Sequence, residues 1–272
     1  MQPHCRVRPS RLGQLAIVDA LVSSGAPIKV LYRTSSDVSS LPPSVAKAEV
    51  DVENQQQLID VLQDKGSTAF VRALASTNVQ LFVPSELGFP ARDEEGLRVP
   101  VNRKKYEVEM AAKDAGIPTA TVAVGCFAES SLSISTRDYV AAAYASIFAR
   151  TPPAQLQGRA INLPELKATV REIASALKKK KHGTDPQIIT HSLEKVEEEI
   201  EICIERGIPL SLPWWCRKSW GDGTLAKVTA SDVWEVEGYR KATLEELVVD
   251  GKLKPCRDIP PQVVEAFDAT FQ

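Results

Sequence analysis

Hydrophobic positions follow two alternating patterns over the first 130 residues. Stretches with apolar residues at three- and four-residue spacing are typical of amphipathic helices, and short uninterrupted apolar runs are typical of strands buried on both faces. The pattern predicts helices at 11–25, 54–66, 67–77 and 102–116, and strands at 28–32, 48–52, 79–84 and 118–125. Helices that alternate with buried strands predict an α/β fold with a Rossmann-like, doubly wound parallel sheet.

The rhythm changes beyond about residue 130. The spacing predicts helices at 136–150, from Pro164 to 181, at 193–207, and in two short segments near the end, at 242–251 and 260–269. Residues 186–192 are predicted to form a short strand, and the Trp- and Pro-rich segment 208–223 is predicted to be irregular. We interpret 131–272 as a smaller C-terminal α/β substrate or cap region that packs on the sheet.

Composition narrows the classes of partner. The chain has 272 residues, of which 43% are hydrophobic, and a formal net charge of -2. With this net charge, the protein has no overall basic field that would attract nucleic acid or an anionic membrane. The run Lys178–Lys181 falls at a predicted helix C-terminus, where cations are favourable. No apolar run reaches the roughly 20 residues of a membrane span. Five scattered cysteines without CxxC spacing favour a reducing cytoplasm and give no metal site.

A dinucleotide-binding unit is indicated near the N-terminus, but it looks incomplete. A helix followed by "IKVLYR" is typical of the first helix and second strand of such a unit. The turn before that helix should hold three glycines, which let the backbone approach a pyrophosphate. In "VRPSRLG" the last glycine, Gly13, is present, whereas Val7 and Ser10 occupy the other two positions. "MQPHC" supplies no apolar strand, so the first strand is predicted to be absent.

Arg33 bears on the choice of cofactor. It ends the second predicted strand and is followed by "TSS". At this place an acidic residue binds a ribose 2′-hydroxyl, whereas an arginine suits the 2′-phosphate of NADP. An exposed arginine in a surface turn is an equally good interpretation of the same residue.

The stretches "LFVPSELG" and "KYEVEMAAKDAGIPTATVAVGCFAE" resemble the NmrA-like and isoflavone reductase-like family of atypical short-chain dehydrogenases. The resemblance is closest to fungal members, with several segments missing. It implies an NADP(H)-binding Rossmann-like domain at 1–130, incomplete at its N-terminus, followed by the substrate region at 131–272. The family's catalytic lysine, which takes part in proton transfer, matches Lys105. Leu12, Gly13, Arg33 and Ser85 are then the expected cofactor contacts.

Three hypotheses about function remain open at this stage. The first is an NADPH-dependent oxidoreductase that acts on a small, aromatic or polyketide-like secondary metabolite. The second is a non-catalytic, NmrA-like regulator that senses a dinucleotide or binds a protein, which the degenerate glycine turn favours. A degraded relative without activity is a third. We expect a small-molecule substrate, no nucleic-acid or membrane partner, and either a homodimer or a protein partner.

Overall fold

Parallel strand pairs organise the protein, as predicted for an α/β fold. The computed structural model describes residues 5–7, 14–32, 36–50, 71, 74–86, 88, 90–125, 135–208, 210–224, 231–253 and 261–271. Three strands, β1 (Cys5–Val7), β2 (Ile28–Tyr32) and β3 (Ala46–Glu49), form a parallel sheet in that order. Strand β4 (Thr121–Ala123) pairs in parallel with β5 (Ala160–Asn162). The predicted strand at 28–32 therefore has the predicted bounds.

The first strand exists, and the prediction that it is absent was wrong. Cys5 pairs with Ile28 and Val7 with Val30 in a parallel register. Strand pairing uses backbone N–H and C=O groups, which every non-proline residue supplies. A three-residue strand can therefore form without an apolar run that the sequence would reveal. The helix predicted at 54–66 lies outside the described residues, as do the end of the strand predicted at 48–52, most of the helix predicted at 67–77, and Leu12, Gly13 and Arg33.

Helices cover the strands, and most of them match the predicted spacing. The described helices are α1 (Gln14–Ser23), α2 (Glu94–Arg98), α3 (Pro100–Asp114), α4 (Arg137–Arg150), α5 (Pro153–Leu156), α6 (Val170–Lys180), α7 (Leu193–Glu205), α8 (Ser211–Gly221) and α9 (Pro261–Thr270), with a π-helical turn at Glu245–Val249. Helix α1 ends before Gly25, whose positive φ of 79° suits a residue without a Cβ. Within the described ranges, no helix is long and apolar enough to cross a bilayer.

The second half differs from its prediction in three places. Helix α6 begins at Val170 rather than near Pro164, because Thr169 and Glu172 form a capping box that fixes its start. Residues 186–192 form no strand. The segment predicted to be irregular forms α8, in which Trp214 and Trp215 are buried at 0% and 5% exposure. Burial of two indoles outweighs the poor helix propensity of the Pro-containing sequence.

One hydrophobic core joins the first helix to the second half of the chain. Helix α1 contributes Ile17, Val18 and Leu21, and α4 contributes Tyr139, Val140 and Ile147, to the same cluster of buried residues. The boundary that we predicted near residue 130 therefore separates two segments that share a core, and the division into two domains stays a prediction.

Matched leucines of α1 test this core. Leu21 is 0% exposed, whereas Leu15 on the same helix is 42% exposed. We expect Leu21→Ala to lower the free energy of unfolding by about 2–5 kcal/mol, since it leaves a cavity. Leu15→Ala should change it by about 0.5 kcal/mol or less. Urea unfolding of both variants measures the difference, and equal losses would contradict the described packing of α1.

Candidate functional site

A turn at the end of a strand-like segment anchors the candidate site. The predicted strand 79–84 is reduced to a single parallel bridge, in which Phe82 pairs with Thr119. Phe82 donates its N–H to the Pro118 carbonyl at 2.8 Å, and its own carbonyl accepts from Ala120 N–H at 3.1 Å. The chain then turns after Pro84, so Ser85, Glu86 and Gly88 lie where the predicted strand would end.

Backbone hydrogen bonds hold this turn. The Glu86 N–H donates to the Pro84 carbonyl at 2.9 Å, and the Gly88 N–H donates to the Glu86 carbonyl at 2.7 Å. The Gly88 carbonyl in turn accepts from Gly125 N–H at 3.2 Å. The turn is therefore fastened to the residues that follow β4, and Gly88 occupies a defined position.

Helix α3 turns an unusual face towards the turn. Asn102 and Glu109 are each 4% exposed, and Lys105 is half-buried between them. These residues are three and four positions apart, which places them on one face of the helix. Another part of α3, with Val108 and Ala112, packs in an apolar cluster that includes Phe82. The helix is thus held by apolar contacts while it presents an amide, an ammonium and a carboxylate inwards.

The buried Glu109 carboxylate is neutralised from two sides. Arg92 Nη2 lies 2.5 Å from Glu109 Oε2, and Lys113 Nζ lies 2.7 Å from Glu109 Oε1. The Arg92 guanidinium also lies 5.7 Å from the centre of the Tyr106 ring, a distance that suits a cation–π contact. Both cations are therefore engaged with Glu109, which makes this part of the cluster a structural charge network.

Glu86 is a buried carboxyl of a different kind. It is 2% exposed, and burial raises its pKa above the ordinary value, while the nearby cations Lys105 and then Arg92 lower it and the Glu109 carboxylate raises it slightly. Desolvation disfavours the charged form of an acid, and a nearby cation favours it. Burial is therefore the main influence on the Glu86 pKa, and the cation of Lys105 opposes it.

Lys105 points at the turn. A Cβ built on Gly88 would lie 3.5 Å from Lys105 Nζ, so the ammonium rests beside the Gly88 backbone. In the part of the chain that the structure describes, no carboxylate pairs with this ammonium within 4.0 Å. A lysine in this position can donate a hydrogen bond or a proton to an oxygen that enters above Gly88.

Two of the five predicted site residues fall in the described region. Ser85 is exposed on the turn, and Lys105 faces the same turn at Gly88. Leu12, Gly13 and Arg33 lie outside the described residues, so their expected cofactor contacts stay predictions.

Sequence reasoning missed the charges around Lys105. Arg92, Glu109 and Glu86 had no predicted role. The detectable signal was the spacing of Asn102, Lys105 and Glu109, which places polar residues at positions that usually form the apolar stripe of a helix.

Two surface clefts lie elsewhere on the protein and lack this chemistry. One, of about 210 Å³, contains Glu165, whose carboxylate accepts from Thr136 N–H at 2.6 Å, Thr136 Oγ1 at 2.7 Å and Ala242 N–H at 3.1 Å. The other, of about 390 Å³, lies between α1 and α4 and is lined mainly by small residues. Because Glu165 is already satisfied, its role is to join α4 to the segment at Ala242. Within the described residues, no group of three or more ligands could hold a metal.

Solved structures share the fold. A crystal structure from work on pinoresinol-lariciresinol and phenylcoumaran benzylic ether reductases, related there to isoflavone reductases, has a TM-score of 0.70 at 18% identity, over 92% of this chain and 99% of that one. The complex of leucoanthocyanidin reductase with NADPH from Vitis vinifera has a TM-score of 0.72 at 14% identity, over 93% and 100%. A nucleoside-diphosphate-sugar epimerase from Staphylococcus aureus has 0.60 at 13%, over 91% and 99%.

These likenesses define the class of fold. The chain has the Rossmann-like α/β fold of isoflavone reductase-like proteins, which confirms the predicted resemblance at the level of fold. No family model and no curated protein sequence matches the chain. Since the epimerase shares the fold with the reductases, the reaction has to be argued from the site.

The pH dependence of stability tests the environment of Glu86. Because burial raises its folded pKa above the unfolded value, its contribution to stability is full below the unfolded pKa, near 4.5, and is lost as the pH rises through the folded pKa. Glutamine does not titrate. We therefore expect Glu86→Gln to gain free energy of unfolding relative to the wild type as the pH rises from about 4 to about 8.

The control for this experiment is Glu107→Gln, which changes an exposed glutamate of helix α3. Urea unfolding at a series of pH values measures both differences. A Glu86→Gln difference that stays constant over the range, or that follows the Glu107→Gln difference, would contradict the burial of an ionisable group at Glu86.

Proposed function

We propose that this protein is an NADPH-dependent oxidoreductase that reduces a small aromatic secondary metabolite. The observation that carries the proposal is the position of the Lys105 ammonium beside Gly88, on the turn that follows the strand-like segment at Phe82. Open α/β sheets bind ligands outside the carboxyl ends of their strands. The neighbouring structures include a reductase bound to NADPH, which supports the choice of cofactor.

The described residues fit a nicotinamide at this turn. Ser85 offers an exposed hydroxyl, Gly88 has no side chain, and Lys105 supplies a cation. In this proposal Gly13 and Leu12 lie at the pyrophosphate, and Arg33 selects the 2′-phosphate of NADP. Residues 1–130 bind the cofactor, and residues 131–272 complete the substrate side.

Lys105 acts on the substrate in this mechanism. NADPH, when bound, supplies the hydride. The Lys105 ammonium stabilises negative charge that develops on a substrate oxygen and donates its proton there, as a general acid. The buried Glu86 contributes a negative charge near the ammonium when it is ionised. The charge network of Glu109, Arg92 and Lys113 keeps α3 in place.

Cofactor binding is the first test of this function. We expect NADPH to bind with a dissociation constant in the micromolar range, about −8 kcal/mol, and more tightly than NADH. Arg33→Ala should weaken NADPH binding by roughly tenfold and remove the preference, since it removes the partner of the 2′-phosphate. Arg171→Ala, an exposed arginine of α6, is the control. NADPH fluorescence titration measures each, and folded wild-type protein that fails to bind NADPH would overturn the proposal.

Turnover separates catalysis from binding. With a panel of aromatic carbonyl and ether compounds, NADPH oxidation by the wild type should fall by about 100- to 10,000-fold in Lys105→Ala, because a general acid is lost. NADPH affinity should change little. Lys104→Ala is the matched control, since Lys104 is the exposed neighbour on α3. Equal rates in the Lys105→Ala and Lys104→Ala variants would exclude Lys105 from the reaction.

One observation favours a second function, a non-catalytic NmrA-like regulator that senses a dinucleotide or binds a protein. Of the three glycine positions expected before α1, only Gly13 is a glycine. A regulator needs no proton donor. Lys105→Ala would then leave dinucleotide binding and partner capture unchanged, and no substrate in the panel would be turned over.

A further inference from the structure

We propose that Gly88 is a specificity-determining residue of this site, because its missing side chain leaves one side of the Lys105 ammonium open to a substrate oxygen. The inference rests on the proposed reductase function, which it deepens. The substrate class is a molecule whose reacting oxygen is, or becomes, negatively charged and reaches Lys105 across the Gly88 backbone.

The space at Gly88 is defined by Lys105. A Cβ added to Gly88 would meet Lys105 Nζ at 3.5 Å, which is ordinary van der Waals contact. The backbone of Gly88 is outside the positive-φ region, so an alanine there is not strained. An alanine side chain would therefore cover the ammonium without deforming the turn.

The position of Gly88 is fixed by its hydrogen bonds. Its N–H donates to Glu86 at 2.7 Å, and its carbonyl accepts from Gly125 at 3.2 Å. Gly125 has a positive φ of 71°, which favours glycine there as well. The Gly88 backbone is therefore held at both its N–H and its carbonyl.

Charge makes Lys105 the cation that an incoming oxygen meets. Arg92 and Lys113 are paired with Glu109 at 2.5 Å and 2.7 Å, so both cations are already engaged with a carboxylate. Glu86 is buried at 2% exposure and thus lies beneath the surface of the turn. Among the described residues, the Gly88 backbone is therefore the neighbour of an ammonium that has no ion pair within 4.0 Å.

Gly96, in the same region, differs from Gly88 because close packing leaves no room for a side chain there. A Cβ there would lie 2.7 Å from the Ala91 Cβ and 3.2 Å from Trp215 Cζ2, so no side chain fits without movement. Gly88 has no such clash, since its contact is the far end of a flexible side chain. Close packing explains the glycine at 96, and it does not explain the glycine at 88.

Amine labelling tests the proposal without a substrate. The intact protein is treated with sulfosuccinimidyl acetate, and peptide mass spectrometry compares acetylation of Lys105 with that of its exposed neighbour Lys104. We expect most of the Lys105 label to be lost in Gly88→Ala and more in Gly88→Val, with the Lys104 label unchanged. Unchanged labelling of Lys105 in Gly88→Ala overturns the proposal.

Gly221 provides the matched control. A Cβ added there meets nothing within 4 Å, and its φ is outside the positive region, so Gly221→Ala and Gly221→Val add the same groups to open space. Both should leave the Lys105 label at the wild-type level. Urea unfolding checks that each variant is folded, and if Gly88→Val is not, Gly88→Ala decides the result.

Turnover provides the second readout. For a substrate found with the wild type, Gly88→Ala should lower kcat/KM by roughly tenfold, as expected when a methyl group is added to a binding site. An unchanged kcat/KM would overturn the proposal, whatever the labelling shows.

The two hypotheses fail separately. If the wild type binds no NADPH, the proposed function is wrong, whereas the labelling series still decides whether Gly88 opens the way to Lys105. If NADPH binds and turnover depends on Lys105, but Gly88→Ala leaves labelling and kcat/KM unchanged, the reductase function stands and the role of Gly88 is wrong.

Discussion

The geometry of the site depends on a few parallel backbone hydrogen bonds. Phe82 is tied to Pro118 and Ala120, and Gly88 to Gly125, so the turn and the residues around β4 have a fixed register. Helix α3 lies between these two points in the chain and packs against Phe82 through Val108. Its rotation is therefore set by apolar contacts, and that rotation brings Lys105 to Gly88. The positions of the Glu109 charge network and of the Lys105 ammonium therefore depend on the backbone pairing of Phe82 and Gly88.

Three buried carboxylates illustrate three different solutions to the same desolvation problem. Glu109 is neutralised by two cations, and Glu165 is satisfied by hydrogen bonds from Thr136 and Ala242. Both carboxylates therefore have a structural role. Glu86 has no ion pair within 4.0 Å among the described residues, and burial raises its pKa while the charges of Lys105 and then Arg92 oppose that rise. Perturbed ionisable groups cluster at functional sites, which is why Glu86 belongs to the candidate site.

Periodic apolar residues made the helices predictable, whereas short strands and packing were not. Helix α3 was predicted at 102–116 and forms over Pro100–Asp114, because its apolar residues and Gly116 are local signals. Strand β1 has three residues and is defined by pairing with β2, which no local pattern reveals. Helix α8 exists because Trp214 and Trp215 are buried by partners distant in sequence. For the site, Lys105 and Ser85 were found through a resemblance, while the neighbours of Lys105 come from three separate segments.

The inward face of α3 argues most strongly that this region serves a function. A helix normally stabilises a fold by burying an apolar stripe, yet α3 buries Asn102 and Glu109 and half-buries Lys105. Asn102 is satisfied by the Gly96 carbonyl at 3.1 Å, and Glu109 by its two cations. Only the ammonium is left without such a partner among the described residues. Local rules of stability are broken mainly where a protein acts, which makes the half-buried Lys105 the residue of α3 to test first.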